Sequence, residues 1–239
     1  YYFSKLMATT AIILAGGLGT RLKKVVQDLP KPMALIRGRP FLEYQMDFWI
    51  SQGVTKFILS VGYLKQTIIN HFGDSYLTAS IDYIIEDEPL GTGGALLLAS
   101  QGLKETFLLL NGDTFFEVNL NNLITFHKKQ QSELTLSLFK SNQFGRYMGV
   151  DLEDNGEILS LQSGGNELTL LANGGVYLVN PSALKKLNYK PYIKSSLEND
   201  LLPKFISLGG GLYGLESSGK FIDIGVPEDY YRAQKILKD

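Results

Sequence analysis

A glycine-rich segment near the start of the chain contains the residue types of a phosphate-binding loop. Gly16, Gly17 and Gly19 follow an apolar run, residues 11–14, that is typical of a strand buried on both faces. Glycines let successive backbone N–H groups approach a ligand with no Cβ in the way, and such groups bind anions. Arg21 adds a planar set of donors that matches phosphate oxygens. The segment lacks the Gly-Lys-Ser/Thr ending of a P-loop and the third glycine of a dinucleotide fingerprint, so it predicts another kind of phosphate site.

Three further charged residues stand in sequence contexts that limit where their side chains can point or what they can contact. Lys31 lies between Pro30 and Pro32, which limit the backbone and therefore the direction of the side chain. Asp113 follows a short apolar run. Asp223 stands in an apolar segment, where a carboxylate is costly unless a cation or hydrogen-bond donors meet it. Each residue alone also fits an ordinary role, such as an exposed lysine in a loop or an aspartate in a turn.

Alternating strands and helices must position these residues in the first half of the chain. Apolar runs predict strands at residues 11–14, 56–61, 81–85 and 107–110, and amphipathic stretches predict helices at 41–52, 64–72 and 94–100. This alternation predicts right-handed crossovers and a mostly parallel sheet with helices on both faces. In such a sheet ligands bind at the carboxyl ends of the strands, where the glycine loop and Asp113 are expected.

After about Glu133 the pattern becomes rich in strands. Residues 134–139, 147–152, 157–161 and 174–179 predict strands, and residues 196–207 and 227–237 predict helices. We therefore expect a nucleotide-binding half, about 7–132, that continues into a β-rich substrate-binding half, about 133–239, within one compact domain. Residues 1–6 precede Met7 and are interpreted as the remnant of a tag.

Overall charge and composition exclude several classes of function. Lysine and arginine total 23 against 24 acidic residues, so the net charge of −1 offers no basic field for nucleic acid or an anionic membrane. The absence of cysteine excludes disulfides and thiolate metal sites. The longest apolar run is too short to cross a bilayer and no export signal is recognisable, so we expect a cytoplasmic protein with neither nucleic acid nor membrane as a partner.

Six sequence blocks, in this order, resemble the sugar nucleotidyltransferases, also called nucleoside-diphosphate-sugar pyrophosphorylases. The blocks are GGLGTRL at 16–22, LPKP at 29–32, EPLGTGG at 88–94, NGD at 111–113, NGGVY at 173–177 and FIDIGVPEDY at 221–230. They extend over nearly the whole chain and are specific when taken together. The resemblance implies a Rossmann-like, GT-A-type mixed α/β sheet flanked by helices. It also implies an enzyme that joins a nucleoside triphosphate to a sugar 1-phosphate and releases pyrophosphate.

The resemblance implies roles for individual residues as well. Arg21 and Lys31 are the implied catalytic residues, which stabilise charge on the transferring phosphate and bind phosphate oxygens. Asp113 and Asp223 are implied to hold one Mg²⁺, the only cofactor expected. The implied nucleotide-binding residues are Leu14, Gly16, Gly17, Gly19, Thr20, Glu86, Glu88, Gly91 and Thr92.

The later blocks concern the sugar phosphate. The resemblance points to Gly149, Asn173, Gly174 and Glu198 as substrate-binding residues. The chain departs from the family pattern upstream of Asn173, where a Glu-Lys pair is common but residues 161–165 carry no charge. We therefore name Lys220 as the candidate that replaces the missing phosphate contact.

The nucleotide and the reaction have competing interpretations. A carboxylate from Glu86 or Glu88 accepts two N–H groups of guanine, whereas uracil and thymine offer one, which predicts GTP. The resemblance implies a manno-configured sugar phosphate, with a heptose 1-phosphate as the first candidate and mannose 1-phosphate as the alternative. UTP or dTTP is the alternative nucleotide, and a homo-oligomer is left open. A glycosyltransferase is disfavoured because residues 111–113 lack the second acid of an Asp-x-Asp motif. A non-catalytic subunit is disfavoured because Arg21, Lys31 and both metal-binding aspartates are present.

Overall fold

The helices of the protein are short and lie around a central sheet. A computed structural model of the chain describes residues 9–17, 19, 21–22, 25–26, 28–141, 143, 146–162 and 171–237. The α-helices of this part are α1 (Phe41–Ser51), α2 (Lys65–Phe72), α3 (Gly91–Ala99), α4 (Leu120–Lys129), α5 (Pro181–Leu187), α6 (Leu202–Ser207) and α7 (Pro227–Ile236). A 3₁₀ turn forms at Lys31–Met33 and a π-helical turn at Leu197–Leu201. In the described residues, each helix falls short of the length and apolar character that crossing a bilayer requires.

The strands form one large mixed sheet and two small ribbons. Their bounds are β1 (Thr10–Leu14), β2 (Leu35–Ile36), β3 (Arg39–Pro40), β4 (Lys56–Val61), β5 (Ser75–Tyr76), β6 (Ala79–Ile85), β7 (Phe107–Asn111), β8 (Thr114–Phe116), β9 (Leu134–Lys140), β10 (Gly149–Leu152), β11 (Ile158–Gln162), β12 (Leu171–Val179), β13 (Leu212–Glu216) and β14 (Phe221–Asp223). The main path of the large sheet has the order β11-β10-β12-β7-β1-β4-β6-β5.

Parallel strands form the centre of the large sheet. β1 pairs in parallel with β4 and β7, and β6 pairs in parallel with β4. β12 lies antiparallel beside β7 and joins β9 and β10 to the sheet, and β13 pairs in parallel with β9. The prediction of a Rossmann-like mixed sheet flanked by helices is confirmed. Strands β9 to β13 continue the sheet of the first half, and the assignment of the two halves to nucleotide and sugar stays a prediction.

Helices cover both faces of the sheet because successive residues of a strand point to opposite sides. In β1, Ile13 packs in the same core cluster as Met46 of α1, whereas Ile12 packs with Leu96 of α3 and Phe205 of α6. All of these side chains are fully buried. The central strands therefore read as continuous apolar runs, which is the pattern that predicted them.

A two-stranded ribbon outside the large sheet connects distant parts of the chain. β8 and β14 pair antiparallel, with Asp223 opposite Thr114, and the N–H of Ile224 donates to the carbonyl oxygen of Asp113 at 3.0 Å. Ile222 and Ile224 pack in a third core cluster with Ala233 of α7. The ribbon therefore holds the segment that begins α7 against the carboxyl end of β7.

Two of the predicted helices differ from their predicted bounds by more than one residue. α3 begins at Gly91 instead of residue 94, because the N–H groups of Gly93 and Gly94 donate to the carbonyl oxygen of Ser195 at 2.9 and 3.3 Å. These bonds satisfy donors of the first helical turn that have no partner within the helix. The helix predicted at 196–207 divides into the π-helical turn and α6.

Candidate active site

A cavity of about 350 Å³ opens at the carboxyl ends of β1 and β7. This is the edge at which open parallel sheets bind ligands. The residues that line it are Leu14, Ala15, Gly16, Gly17, Gly19, Arg21, Lys31, Pro32, Glu86, Pro89, Gly91, Thr92, Ala95, Asn111, Gly112, Asp113 and Gly225. The volume is within the range of small-molecule sites.

Most of the residues predicted to bind the nucleotide line this cavity. The members of that set on its wall are Leu14, Gly16, Gly17, Gly19, Glu86, Gly91 and Thr92. Thr20 lies outside the described residues. Glu88 is exposed and is not part of the cavity wall. Of the two carboxylates considered for the base, the structure therefore places only Glu86 at the cavity.

Glu86 is buried and its orientation is fixed by the fold. One carboxylate oxygen, Oε1, accepts a hydrogen bond from Ser60 Oγ at 2.9 Å, and Oε2 accepts one from the N–H of Leu90 at 3.1 Å. A Cβ at Gly16 would lie 2.3 Å from Oε1, so a larger residue there would require the Glu86 carboxylate to move away from its present hydrogen-bond donors. The two bonds leave further lone pairs on the carboxylate for a ligand.

Lys31, Asp113 and Asp223 form a compact charged group. Lys31 Nζ lies 2.5 Å from Asp113 Oδ2 and 3.9 Å from Asp223 Oδ1, and the lysine side chain is only 10% exposed. Burial and the negative charge of Asp113 raise the pKa of Asp223 above its ordinary value, and Lys31 opposes this effect. Within this group of three residues two carboxylates share one cation, and the only further cation contact of Asp223 in the described residues is with Arg146, which is itself paired with Asp229.

The ribbon of β8 and β14 brings the two aspartates together. Asp113 directly precedes β8 and Asp223 ends β14, two strands that pair antiparallel. The N–H of Gly225 donates to Asp223 Oδ1 at 2.6 Å and fixes that carboxylate. Arg21, the other residue predicted to be catalytic, is exposed and lies on the wall of the same cavity. The structure thus gathers all four predicted catalytic and metal-binding residues in one region.

Thr92 connects the nucleotide side of the site to the predicted sugar side. Its hydroxyl donates to Glu198 Oε2 at 2.7 Å and accepts from the N–H of Leu197 at 2.8 Å. Glu198 and Leu197 belong to the π-helical turn, and such turns are frequent at functional sites. Glu198 therefore lies next to the first turn of α3, beside the cavity.

Asn173, Gly174 and Gly149 lie next to one another on β12 and β10. The N–H of Asn173 donates to the carbonyl oxygen of Met148 at 3.0 Å, and Asn173 Nδ2 donates to Tyr177 Oη at 2.7 Å. Tyr177 is fully buried, and burial raises its pKa well above the ordinary value. The nearby side chain of Asn111, which lines the cavity, opposes this rise in pKa, so Tyr177 lies between the sugar-side residues and the cavity wall.

Lys220 does not join the site, in contrast to its predicted role. Its Nζ lies 3.3 Å from Glu117 Oε1, and it lines a separate cavity with Phe115 and α7 residues. Alternate residues along a strand face opposite sides, so Lys220 shares a side with buried Ile222 and not with Asp223. The strand register, which the sequence does not show, explains the difference.

Two charged residues that the sequence interpretation missed lie beside Asp223. Arg146 Nη2 is 3.9 Å from Asp223 Oδ2, and the same guanidinium contacts the carboxylate of Asp229. Asp229 lies inside the block at 221–230 and in the first turn of the helix predicted at 227–237. These two features could have marked it as a candidate functional residue. Of the uncharged stretch at 161–165, Gln162 donates to Asp151 Oδ2 at 2.7 Å, and residues 163–165 lie outside the described residues.

A glycine loop, a buried lysine, an exposed arginine and paired carboxylates at the carboxyl edge of a Rossmann-like sheet define a site for phosphate chemistry. The chain belongs to the nucleotidyl transferase family, since the family model described as "Nucleotidyl transferase" matches residues 10–239. The family predicted from the six sequence blocks is therefore confirmed.

Two curated relatives and two solved structures are similar to this chain over nearly its whole length. The chain is 42% identical over 229 residues to the D-glycero-α-D-manno-heptose 1-phosphate guanylyltransferase of Aneurinibacillus thermoaerophilus, with 95% of this chain and 98% of the relative covered. It is 39% identical over 221 residues to the enzyme of the same name from Campylobacter jejuni, with 92% and 96% covered. The crystal structure of HddC from Yersinia pseudotuberculosis matches with a TM-score of 0.83 and 38% identity over 96% of this chain and 99% of that one. Another structure shows HddC complexed with GMP-PN.

Proposed function

We propose that the protein transfers the guanylyl group of GTP to D-glycero-α-D-manno-heptose 1-phosphate, which gives the GDP-heptose and pyrophosphate. The observation that carries the proposal is the convergence of Lys31, Asp113 and Asp223 beside a glycine-lined cavity. The identity of 42% to a heptose 1-phosphate guanylyltransferase over 95% of the chain selects the substrate pair.

The chemistry suits a site with cations and no general base. An oxygen of the sugar phosphate forms a bond to the α-phosphorus of GTP, and the bond from that phosphorus to the bridging oxygen of pyrophosphate breaks. The nucleophile is already an anion, so catalysis depends on positioning it and on stabilising charge. Lys31 is buried next to Asp113, and Arg21 lies on the cavity wall, where both reach phosphate oxygens. These two residues are the proposed catalytic groups.

Asp113 and Asp223 fit the predicted Mg²⁺. The described residues contain no cluster of three or more acidic, histidine or cysteine side chains that could hold a metal alone. Two carboxylates with substrate oxygens and water are, however, the usual environment of Mg²⁺. The raised pKa of Asp223, caused by burial and by Asp113, indicates repulsion that a divalent ion relieves. When bound, the ion neutralises phosphate charge and helps to align both substrates.

Glu86 is the proposed reader of guanine. Its carboxylate lines the cavity and keeps lone pairs free after accepting from Ser60 and Leu90. Guanine offers N1–H and an exocyclic amine on one edge, and a carboxylate accepts both. The nucleotide contacts proposed for the glycine loop and for Gly91 and Thr92 follow from their place on the same wall.

The proposed sugar side contains Gly149, Asn173, Gly174 and Glu198. Glu198 is tied to Thr92 at 2.7 Å, and Asn173 hydrogen-bonds Tyr177, which lies near Asn111 of the cavity wall. A carboxylate and an amide bind paired hydroxyls of a pyranose. Because GTP is a metabolite of the cytoplasm, we also place the reaction there.

A matrix of substrates tests the proposal. Purified protein with Mg²⁺ is supplied with each of four nucleoside triphosphates and with heptose, mannose, glucose or N-acetylglucosamine 1-phosphate, and pyrophosphate release is measured. We expect the highest kcat/KM for GTP with the manno-configured heptose phosphate. A preference for UTP or dTTP would overturn the assignment of Glu86 to guanine, and the absence of pyrophosphate with every pair would overturn the reaction itself.

A further inference from the structure

Arg146 is a second cation on the carboxylate of Asp223. Its Nη2 lies 3.9 Å from Asp223 Oδ2, while Lys31 Nζ lies 3.9 Å from the other oxygen, Oδ1. The Arg146 side chain is three-quarters buried, with 24% of its surface exposed. Asp223 thus stands between two cations. Lys31 lines the cavity with the glycine loop, whereas Arg146 is near the other oxygen of the same carboxylate.

A single buried carboxylate holds Arg146 in place. Asp229 Oδ2 contacts Arg146, and Asp229 Oδ1 lies 3.2 Å from Nε of Arg232. The Asp229 side chain is only 5% exposed and stands in the first turn of α7. Because Asp229 divides its two oxygens between two guanidinium groups, it does not neutralise Arg146 fully. Asp223, the other carboxylate near Arg146, is likewise shared with Lys31, so neither carboxylate is matched to Arg146 alone and its guanidinium can still attract another anion.

The donors of Arg146 are only partly used within the described part of the chain. Nη1 donates to Gln143 Oε1 at 2.9 Å and Nη2 contacts Asp229, which occupies two of the five N–H groups of a guanidinium. The guanidinium carbon also lies 4.9 Å from the ring centre of Tyr147. Donors therefore remain for a phosphate, whose oxygens match the planar fork of arginine.

Arg146 lies near the residues that are proposed to bind the sugar. Gly149, three residues later, begins β10 and pairs with Ala172, the neighbour of Asn173. Tyr147 packs edge-on against Phe221 of β14 with ring centres 5.5 Å apart, which fixes the backbone between Arg146 and Gly149. Arg146 therefore lies between the residues proposed to bind the sugar and the carboxylate proposed to bind the metal.

From this geometry we infer that Arg146 binds the phosphate group of the sugar 1-phosphate and that Asp229 is its positioning residue. The inference rests on the proposed function, since it names the phosphate contact that the uncharged residues 161–162 and the distant Lys220 do not supply. A guanidinium on this side of Asp223 attracts the second anionic substrate, which must approach an already charged triphosphate.

Four single variants, and the double variant of Arg146→Ala with Asp229→Asn, separate this role from a structural one. The variants are Arg146→Ala, Arg146→Lys, Asp229→Asn and, as the matched control, Arg232→Ala, which removes the other partner of Asp229. For each one, pyrophosphate release gives KM for the sugar 1-phosphate and KM for GTP. Calorimetry gives Kd for the sugar 1-phosphate, and thermal unfolding gives Tm. The sugar 1-phosphate is the one that the wild-type protein uses best in the substrate matrix.

We expect Arg146→Ala to raise KM and Kd for the sugar 1-phosphate about 10- to 100-fold, as for a lost charge-assisted hydrogen bond, and to change KM for GTP less than about twofold. Arg146→Lys keeps the charge without the fork and gives an intermediate value. Asp229→Asn raises the same KM by a smaller factor and adds nothing to Arg146→Ala in the double variant. Arg232→Ala leaves the KM for the sugar 1-phosphate unchanged.

The contrary outcomes are distinguishable from one another. If the wild-type protein releases pyrophosphate but Arg146→Ala and Arg146→Lys keep its KM and Kd for the sugar 1-phosphate, the inference fails and the proposed function stands. An equal rise of both KM values with a lower Tm identifies Arg146 as a structural clamp and contradicts the inference. If Arg146→Ala does not fold, the lysine variant decides by the same criteria. No pyrophosphate from the wild-type protein removes both proposals.

Discussion

Replacing Glu86 with glutamine tests how the cavity selects guanine without disturbing the fold. A glutamine can accept from the N–H of Leu90 through its oxygen and donate to Ser60 Oγ through its amide, because a hydroxyl serves as donor or acceptor. Both structural hydrogen bonds of Glu86 are thereby kept. The amide, however, presents a donor where the carboxylate presented an acceptor to guanine. One charge-assisted hydrogen bond to the base is lost.

The expected magnitude follows from that single bond. A hydrogen bond to a charged group is worth about 1.5–3 kcal/mol. Since about 1.4 kcal/mol corresponds to a factor of ten, kcat/KM for GTP should fall about 10- to 150-fold. Glu88→Gln is the matched control, because Glu88 is exposed and does not line the cavity. The kcat/KM of the Glu88→Gln variant for GTP should stay within about twofold of the wild-type value, as for surface substitutions in general.

The assay compares GTP with ITP at a fixed concentration of sugar 1-phosphate, with pyrophosphate release as the signal. Inosine lacks the exocyclic amine, so the wild-type protein should prefer GTP, and Glu86→Gln should reduce that preference. Thermal unfolding checks that the variant is folded. Wild-type kcat/KM for GTP and an unchanged ratio of GTP to ITP in Glu86→Gln would refute the assignment of this carboxylate to the base.

Three further predictions concern catalysis, backbone strain and pH. Lys31→Met should lower kcat about 100- to 1000-fold in the pyrophosphate assay, because a buried cation beside the reacting phosphate is lost; near-normal kcat would contradict its catalytic role. Gly91→Ala should lower the free energy of unfolding in urea by about 1–3 kcal/mol, since φ is +71° and the new Cβ would lie 2.5 Å from the carbonyl oxygen of Ser195. Gly102→Ala, at φ +83° with open space around the Cβ, should cost less. Burial lowers the pKa of His127 from 6.5 to about 4, so the unfolded chain binds the proton more tightly and stability falls as pH decreases from 6.5 towards 4. Between neutral pH and pH 5, His127 should therefore lower the free energy of unfolding, measured with urea, by about 2 kcal/mol. His127→Gln should remove this part of the pH dependence.

The sequence predicted the central sheet well because its signals are local. β1 and β7 are short apolar runs that end in glycine or in Asn-Gly-Asp, so both the strands and the ligand-binding edge could be recognised. The start of α3 was misplaced because its first turn is capped by the carbonyl oxygen of Ser195, about a hundred residues away in the chain. A cap formed by a residue so far away leaves no recognisable pattern in the sequence around the start of the helix.

The charged part of the site was only partly predictable for the same reason. β8 and β14 are three residues each and show no periodicity, so their pairing, and with it the proximity of Asp113 and Asp223, came only from the family resemblance. The contact of Arg146 with Asp229 joins residues 83 positions apart. Lys220 was assigned to the phosphate because its charge is visible in the sequence, while the face of the strand on which it lies is not.

The central claim is that Asp113 and Asp223 share one divalent ion at the phosphorus that is transferred. The most direct measurement is an anomalous difference map from crystals grown with Mn²⁺, a non-hydrolysable GTP analogue and the sugar 1-phosphate. We expect one Mn²⁺ peak between the two carboxylates and in contact with the α-phosphate, with Lys31 on the same phosphate. A peak bound to the nucleotide alone, with both aspartates turned away from it, would contradict the account.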